Sequence, residues 1–168
     1  MSDLDETSAA ISTARDAIEK ASQSVNAALD VAQEKEEQAA ALGIDGMTAT
    51  THAAYEALEA AAASLVIGYD ATGGAASTAG EITVRTATGD TIGRLDTVID
   101  QLDQAASAVD TAIGSADHAQ EYAQQLEIET LIVVVTAAAD SLSGARQAVE
   151  AATKRTEAYR HQVEALGN

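Results

Sequence analysis

Apolar residues recur every seven positions along the first quarter of the chain, and a second apolar row follows three positions after the first. The first row contains Leu4, Ile11, Ile18, Val25, Ala32 and Ala39, and the second contains Ala14, Ala21, Ala28 and Leu42. Heptad spacing is typical of a helix that buries one narrow face against other helices. It predicts a first helix over about residues 4–42. In the turn at residues 42–46, we expect Gly43 to adopt the left-handed conformation and Asp45 to cap the next helix.

Three later segments carry the same spacing and predict three further helices. The apolar row of the second helix contains Met47, Thr51, Ala54, Leu58, Ala61 and Leu65. The third helix ends near Leu126, and its row contains Ile92, Leu95, Ile99, Leu102, Ala106, Val109, Ile113 and Ala116. The fourth helix runs from Ile128 to Leu166. Glycines cluster between the second and third helices, and each internal glycine costs a helix up to about 1 kcal/mol. We therefore predict a connector over about residues 70–90. Within it, residues 82–86 alternate like a strand but have no partner strand.

The two halves of the chain repeat each other. A shift of 84 residues, half of the 168, places the turn at Leu42–Asp45 on Leu126–Glu129. Heptads alone do not predict where a hairpin bends, so the coincidence of the two turns indicates a duplication. One hairpin exposes half of its apolar face, whereas two hairpins close a core. The expected fold is therefore all-α: a single domain over 1–168, an elongated antiparallel four-helix bundle made of hairpin repeats at about 1–84 and 85–168.

Composition and charge exclude several classes of protein. The chain has 27 acidic and 9 basic residues, a formal charge of −18, and neither cysteine nor proline. Disulfides, zinc ribbons and iron–sulfur clusters are excluded, and so negative a chain repels nucleic acid. No stretch approaches the roughly 20 apolar residues of a membrane span, and no signal-peptide pattern opens the sequence. We expect a cytoplasmic protein, or one exported without a cleavable signal.

The residues that carry chemistry do not form a recognisable site. A di-iron bundle needs Glu-x-x-His pairs, and none of His52, His118 and His161 has a glutamate three residues before it. Glu157 and His161 are spaced as a surface pair outside the apolar stripe. No glycine-rich phosphate loop with its lysine is present. We therefore expect no enzymatic activity, no cofactor and no metal site.

The segment Leu131, Ile132, Val133, Val134 and Val135 is apolar on every side of the predicted fourth helix. A helix of this kind must be covered on every side. Three interpretations stay open: a central helix that its neighbours cover, a self-association or partner patch, and a strand. With no site chemistry, the sequence favours a non-catalytic adaptor or scaffold that binds a protein partner or itself. A bundle that binds a small ligand in voids between alanines is the alternative.

The first hairpin also resembles a known secreted family. It bends at Gly43–Gly46, and Tyr55 and Glu59 have the spacing of a Tyr-x-x-x-Asp/Glu export signal. In these features it is similar to the Trp-x-Gly helical hairpin proteins of type VII (ESX) secretion. The turn lacks the tryptophan, and Tyr159 is followed by Val163 where a terminal signal needs an acid. The resemblance implies a leaderless secreted effector that joins in one chain two hairpins that the family pairs as a dimer.

Overall fold

The computed structural model describes residues 2–83 and 85–167 and confirms the predicted all-α fold class, a four-helix bundle. Within those residues there is no strand. The helices are α1 (Asp3–Ala41), α2 (Asp45–Gly80), α3 (Thr88–Leu126) and α4 (Glu129–Gly167). A helix of 39 residues, such as α1, is about 58 Å long at 1.5 Å per residue, so the bundle is elongated.

Each helix packs against two neighbours and runs antiparallel to both. Helix α1 contacts α2 and α4, and α3 contacts the same two helices. Across α1 and α4, the hydroxyl oxygens of Ser24 and Ser141 lie 3.0 Å apart. Nearer the chain ends, Arg155 of α4 reaches Asp3 at the start of α1. The two hairpins therefore face each other and close one ring of four helices.

Alanine fills most of the core, with one larger aliphatic residue at intervals along each helix. The fully buried large side chains include Ile11, Ile18, Val25, Leu58, Leu65, Leu95, Val98, Leu102, Val109, Leu131, Val135, Leu142 and Val149. In α1 the predicted rows are buried from Ile11 to Ala39, and in α4 the predicted helix is buried on one face from Leu131 to Thr156. In α3 one of the two predicted rows is wrong, because Val98, Ala105 and Ala112 are buried while Ile99 and Ile113 are only half-buried. Small side chains in the buried row let α3 approach its neighbours closely, and the isoleucines lie beside that contact.

The prediction of a connector over residues 70–90 is wrong for residues 70–80, where α2 continues as a helix to Gly80. Small residues pack this part of α2 against α3: Thr72, Ala75 and Ala79 are buried. A methyl group built at Gly68 would lie 3.6 Å from the carbonyl oxygen of Ala105, so the two backbones are close. Packing therefore offsets the cost of the glycines. The remaining link covers residues 81–87, of which Val84 lies outside the described residues.

The two hairpins are shifted along the bundle axis. Gly68 of α2 lies opposite Ala105 of α3. From this level towards the α1–α2 turn, α3 is the shorter of the two, and it ends at Leu126 before the level of the turn. Leu42, predicted in the buried stripe, is therefore 73% exposed. At the opposite end, α4 continues beyond the start of α1, and Leu166 is 87% exposed. Each hairpin thus leaves one end uncovered by the other.

The two turns share a left-handed residue at equivalent positions of the predicted repeat. Gly43 has a φ of 67° and Glu127 a φ of 53°, and the two are 84 positions apart. This conformation is easy for glycine and costs any other residue energy, so Glu127 keeps it because the helices on both sides of the turn are fixed by packing. Asp45, predicted to cap α2, is its first residue, and the cap position is Ile44 without a side-chain hydrogen bond.

Candidate interaction surface

The core of the bundle offers no polar group to a ligand. In residues 2–83 and 85–167 the buried polar side chains are five threonines. Each donates its hydroxyl proton to the carbonyl four residues earlier in its own helix, at 2.8 to 3.2 Å; they are Thr7, Thr51, Thr72, Thr91 and Thr156. These five hydroxyls are satisfied by the backbone and are therefore not free to bind a ligand.

The histidines lie on the surface, and each contacts one or two carboxylates. His52 of α2 has one ring nitrogen 3.0 Å from Glu36 of α1 and the other 3.4 Å from Glu56, one turn further along α2. This contact joins α1 to α2 near their turn. The other two histidines each lie beside one acid of their own helix, His118 beside Glu121 and His161 beside Glu164. In the described part of the chain, no three such side chains converge on a point where a metal ion could bind.

The predicted patch at Leu131–Val135 divides between the core and the surface. Leu131 and Val135 are fully buried, so they are core residues and cannot contact a partner. Ile132 and Val134 are half-buried against that core, and Val133 is 60% exposed. The segment is helical, so its interpretation as a strand is wrong. What remains available to a partner is Val133 with the outer parts of Ile132 and Val134.

The predicted export signal lies in the middle of the bundle. Tyr55 is half-buried and packs against the core, whereas Glu59, one turn later in α2, is exposed. Both residues are part of a continuous helix that runs on to Gly80. A receptor can therefore reach the carboxylate of Glu59 while the bundle is folded, but only part of the Tyr55 ring.

A second apolar surface lies on the outer face of α2, and the heptad pattern does not predict it. Val66 is 58% and Ile67 is 52% exposed, and Ala60 and Ala63 are exposed on the same face. We call these four residues the α2 ridge. The run Ala60–Ile67 has a single polar residue, Ser64, so it is nearly apolar on every side, as Leu131–Val135 is. That signal is present in the sequence, but the predicted heptad rows contain only Ala61 and Leu65 of this run and make no prediction for the others.

Two open grooves border the α2 ridge. The groove on the α1 side has a volume of about 320 Å³ and is lined by Ile18, Glu19, Ser22, Leu65, Val66 and Tyr69. The groove on the α3 side has a volume of about 340 Å³ and is lined by Ile67, Asp70, Ala71, Gly74, Gln101 and Gln104. The ridge therefore stands between two depressions, a shape into which the side chains of a second helix can fit.

Two arginines of α4 form ion pairs away from the α2 ridge, whereas Arg15 of α1 lies over the ring of Tyr69, beside one of the grooves. Arg155 of α4 pairs with Asp3 of α1 at 2.7 Å. A hydrogen bond from Arg160 of α4 to Asp96 of α3 raises the pKa of that guanidinium above its ordinary value, so it stays charged. Both ion pairs are partly exposed, so each contributes little to stability. Helix α2 contains no lysine or arginine, and its charged side chains next to the α2 ridge, Glu56, Glu59 and Asp70, are acidic and exposed.

Comparison with models of protein families, with curated proteins and with solved structures finds no significant match to this chain. Among the helices of the described residues, none combines the length and the apolar character needed to cross a bilayer.

Proposed function

We propose that this protein is a non-catalytic interaction protein, an adaptor or scaffold built on an acidic helical bundle. The observation that carries the proposal is that large apolar side chains stay exposed although the core is closed. Val66 and Ile67 on α2 and Val133 on α4 are each more than half exposed. A contiguous exposed apolar surface is typical of a site that a partner covers, and Val66 and Ile67 are adjacent on the outside of α2. The threonine hydroxyls of the core are satisfied internally, so the interior contributes packing and not chemistry.

A partner complex is expected to depend on the surface and not on the core. Charged substitution of Val133 removes the exposed part of the Leu131–Val135 segment without opening a cavity, because that side chain points outwards. We expect Val133→Asp to reduce recovery of a stoichiometric partner from the producing cells at least about tenfold, which corresponds to about 1.4 kcal/mol. Ala151→Asp, an exposed position of α4 about 27 Å further along the helix, adds the same charge and serves as the matched control.

Light scattering gives the mass of the purified protein in solution and so distinguishes self-association from binding to a different protein. Equal recovery with Val133→Asp and wild type contradicts a role for the Leu131–Val135 segment. A protein that stays monomeric and recovers no stoichiometric partner under any condition contradicts the proposed function itself.

The second candidate function, a leaderless secreted effector of the type VII kind, is favoured by the pairing of two helical hairpins in one chain. Its export signal consists of Tyr55 and Glu59. The exposed position of Glu59 is compatible with recognition. Export that is lost with Glu59→Gln supports this function, and protein found only in the cytosol of the producing cells opposes it.

A further inference from the structure

The α2 ridge has the arrangement that helix–helix recognition requires. Ala60, Ala63 and Ile67 are spaced i, i+3 and i+7, so they lie in a row on one face of α2, and Val66 lies beside them. The row is about 10 Å long, two turns of helix. Amphipathic helices dock through anchors at this spacing, which enter grooves on either side of an apolar row. The grooves of about 320 and 340 Å³ supply those depressions.

The charges around the α2 ridge select the kind of helix that fits. Glu56 and Glu59 lie towards one end of the ridge and Asp70 at the other, all three exposed. Glu19 lines the groove on the α1 side. The nearest cation is Arg15, whose guanidinium lies over the ring of Tyr69 at 4.4 Å from its centre. An occupant with lysine or arginine beside its apolar face meets complementary charge on both sides of the ridge.

The same charges oppose a second copy of this chain as the occupant. Two α2 ridges in contact would bring the acidic residues of one copy against those of the other, and each copy has a formal charge of −18. Like charges opposed across an interface cost energy and slow association.

We propose that the α2 ridge is the docking surface for an amphipathic helix of a partner protein, with Val66 and Ile67 entering its apolar face and Glu19, Glu56, Glu59 and Asp70 pairing with its basic residues. This inference rests on the proposed function, since it assigns the partner's chemistry and the place where it binds.

Two synthetic peptides of the same leucine and lysine composition test the proposal. Both have about 18 residues, five turns of helix. In the first peptide, leucines at i, i+3, i+4 and i+7 share one face; in the second, the order is scrambled so that they do not. The full protein is titrated with each, affinity is measured by calorimetry, and the contact site is mapped from NMR amide shifts. We expect the amphipathic peptide to bind about tenfold tighter, with shifts concentrated at residues 60–70 and at Gln101 and Gln104.

The variant Ile67→Asp separates apolar docking from attraction by charge. The variant loses an apolar anchor and gains a negative charge. If charge alone attracts the basic peptide, the variant binds it more tightly than the wild type does. If the peptide docks on the α2 ridge, the variant binds it about tenfold more weakly. Leu166→Asp at the far end of α4 removes another exposed aliphatic side chain, adds the same charge and is the matched control. Circular dichroism melts check that both variants stay folded.

The proposal is overturned if the two peptides bind equally, or if Ile67→Asp binds the amphipathic peptide as tightly as Leu166→Asp does. It is also overturned if a natural partner complex survives Ile67→Asp and is lost with Val133→Asp, and in that case the proposed function stands. Recovery of no partner with either wild type or variants contradicts the proposed function instead.

Discussion

Leu102→Ala is expected to lower the free energy of unfolding by about 2–5 kcal/mol, the range for a large aliphatic side chain removed from a core that cannot collapse around the space. Leu102 is fully buried near the middle of α3. Helices α2 and α4 pack along α3 on both sides, so they have little freedom to close the cavity. Urea unfolding followed by circular dichroism gives the change.

The chain contains a matched control for this substitution. Leu42 at the α1–α2 turn is 73% exposed, so Leu42→Ala is expected to change stability by no more than about 0.5 kcal/mol. If the two variants lose the same free energy, the two hairpins do not enclose Leu102 as described.

Ala112→Leu is expected to destabilise the bundle by about 1–3 kcal/mol although it adds apolar surface, because extra methylene groups in a full core displace its neighbours. Ala112 is fully buried in the α3 row that approaches the neighbouring helices. The control is Ala137→Leu, an exposed position of α4, at which the same enlargement has room. Urea unfolding of both variants measures the difference.

A stabilising effect of Ala112→Leu would mean that alanine leaves an unfilled space at this level of the bundle. Such a space is what the alternative function, a bundle that binds a small apolar ligand, requires. The sign of this single change therefore separates a close-packed alanine core from one with a cavity.

The sequence predicts the helices, their order and most of the core because the heptad rows of α1 and α4 are long and uninterrupted. In α3 the pattern does not distinguish which of two rows is buried. Ile99 and Ile113 are more hydrophobic than Ala105 and Ala112, yet the small residues are inside. Hydrophobicity favours the large side chain, whereas close approach of helices favours the small one, and only the helix positions decide between them.

The end of α2 could not be predicted from local preference. Gly73, Gly74 and Gly80 are poor helix formers, but α2 continues through them because buried contacts of Thr72, Ala75 and Ala79 stabilise this part of the helix. Local propensity is a weak prior that tertiary contacts routinely override.

The surface residues were only partly predictable for a related reason. Val133 was found because its neighbours are all apolar, but Leu131 and Val135 of the same run are core residues. The exposure of Val66, Ile67 and Leu42 depends on which faces and ends the other helices cover. The shift of the two hairpins along the axis sets the exposure of Leu42, and no repeat of seven residues encodes that shift.

The closure of the two hairpins into one ring is tested most directly by a disulfide between α1 and α4. The natural chain has no cysteine, and the hydroxyl oxygens of Ser24 and Ser141 lie 3.0 Å apart. The double variant Ser24→Cys with Ser141→Cys is expected to form a disulfide within one chain under mild oxidation, seen as faster migration on a non-reducing gel. Ser22 lines the groove towards α2, so Ser22→Cys with Ser141→Cys is expected to stay reduced. Free thiols in the first variant, or dimers joined between chains, would contradict the four-helix ring.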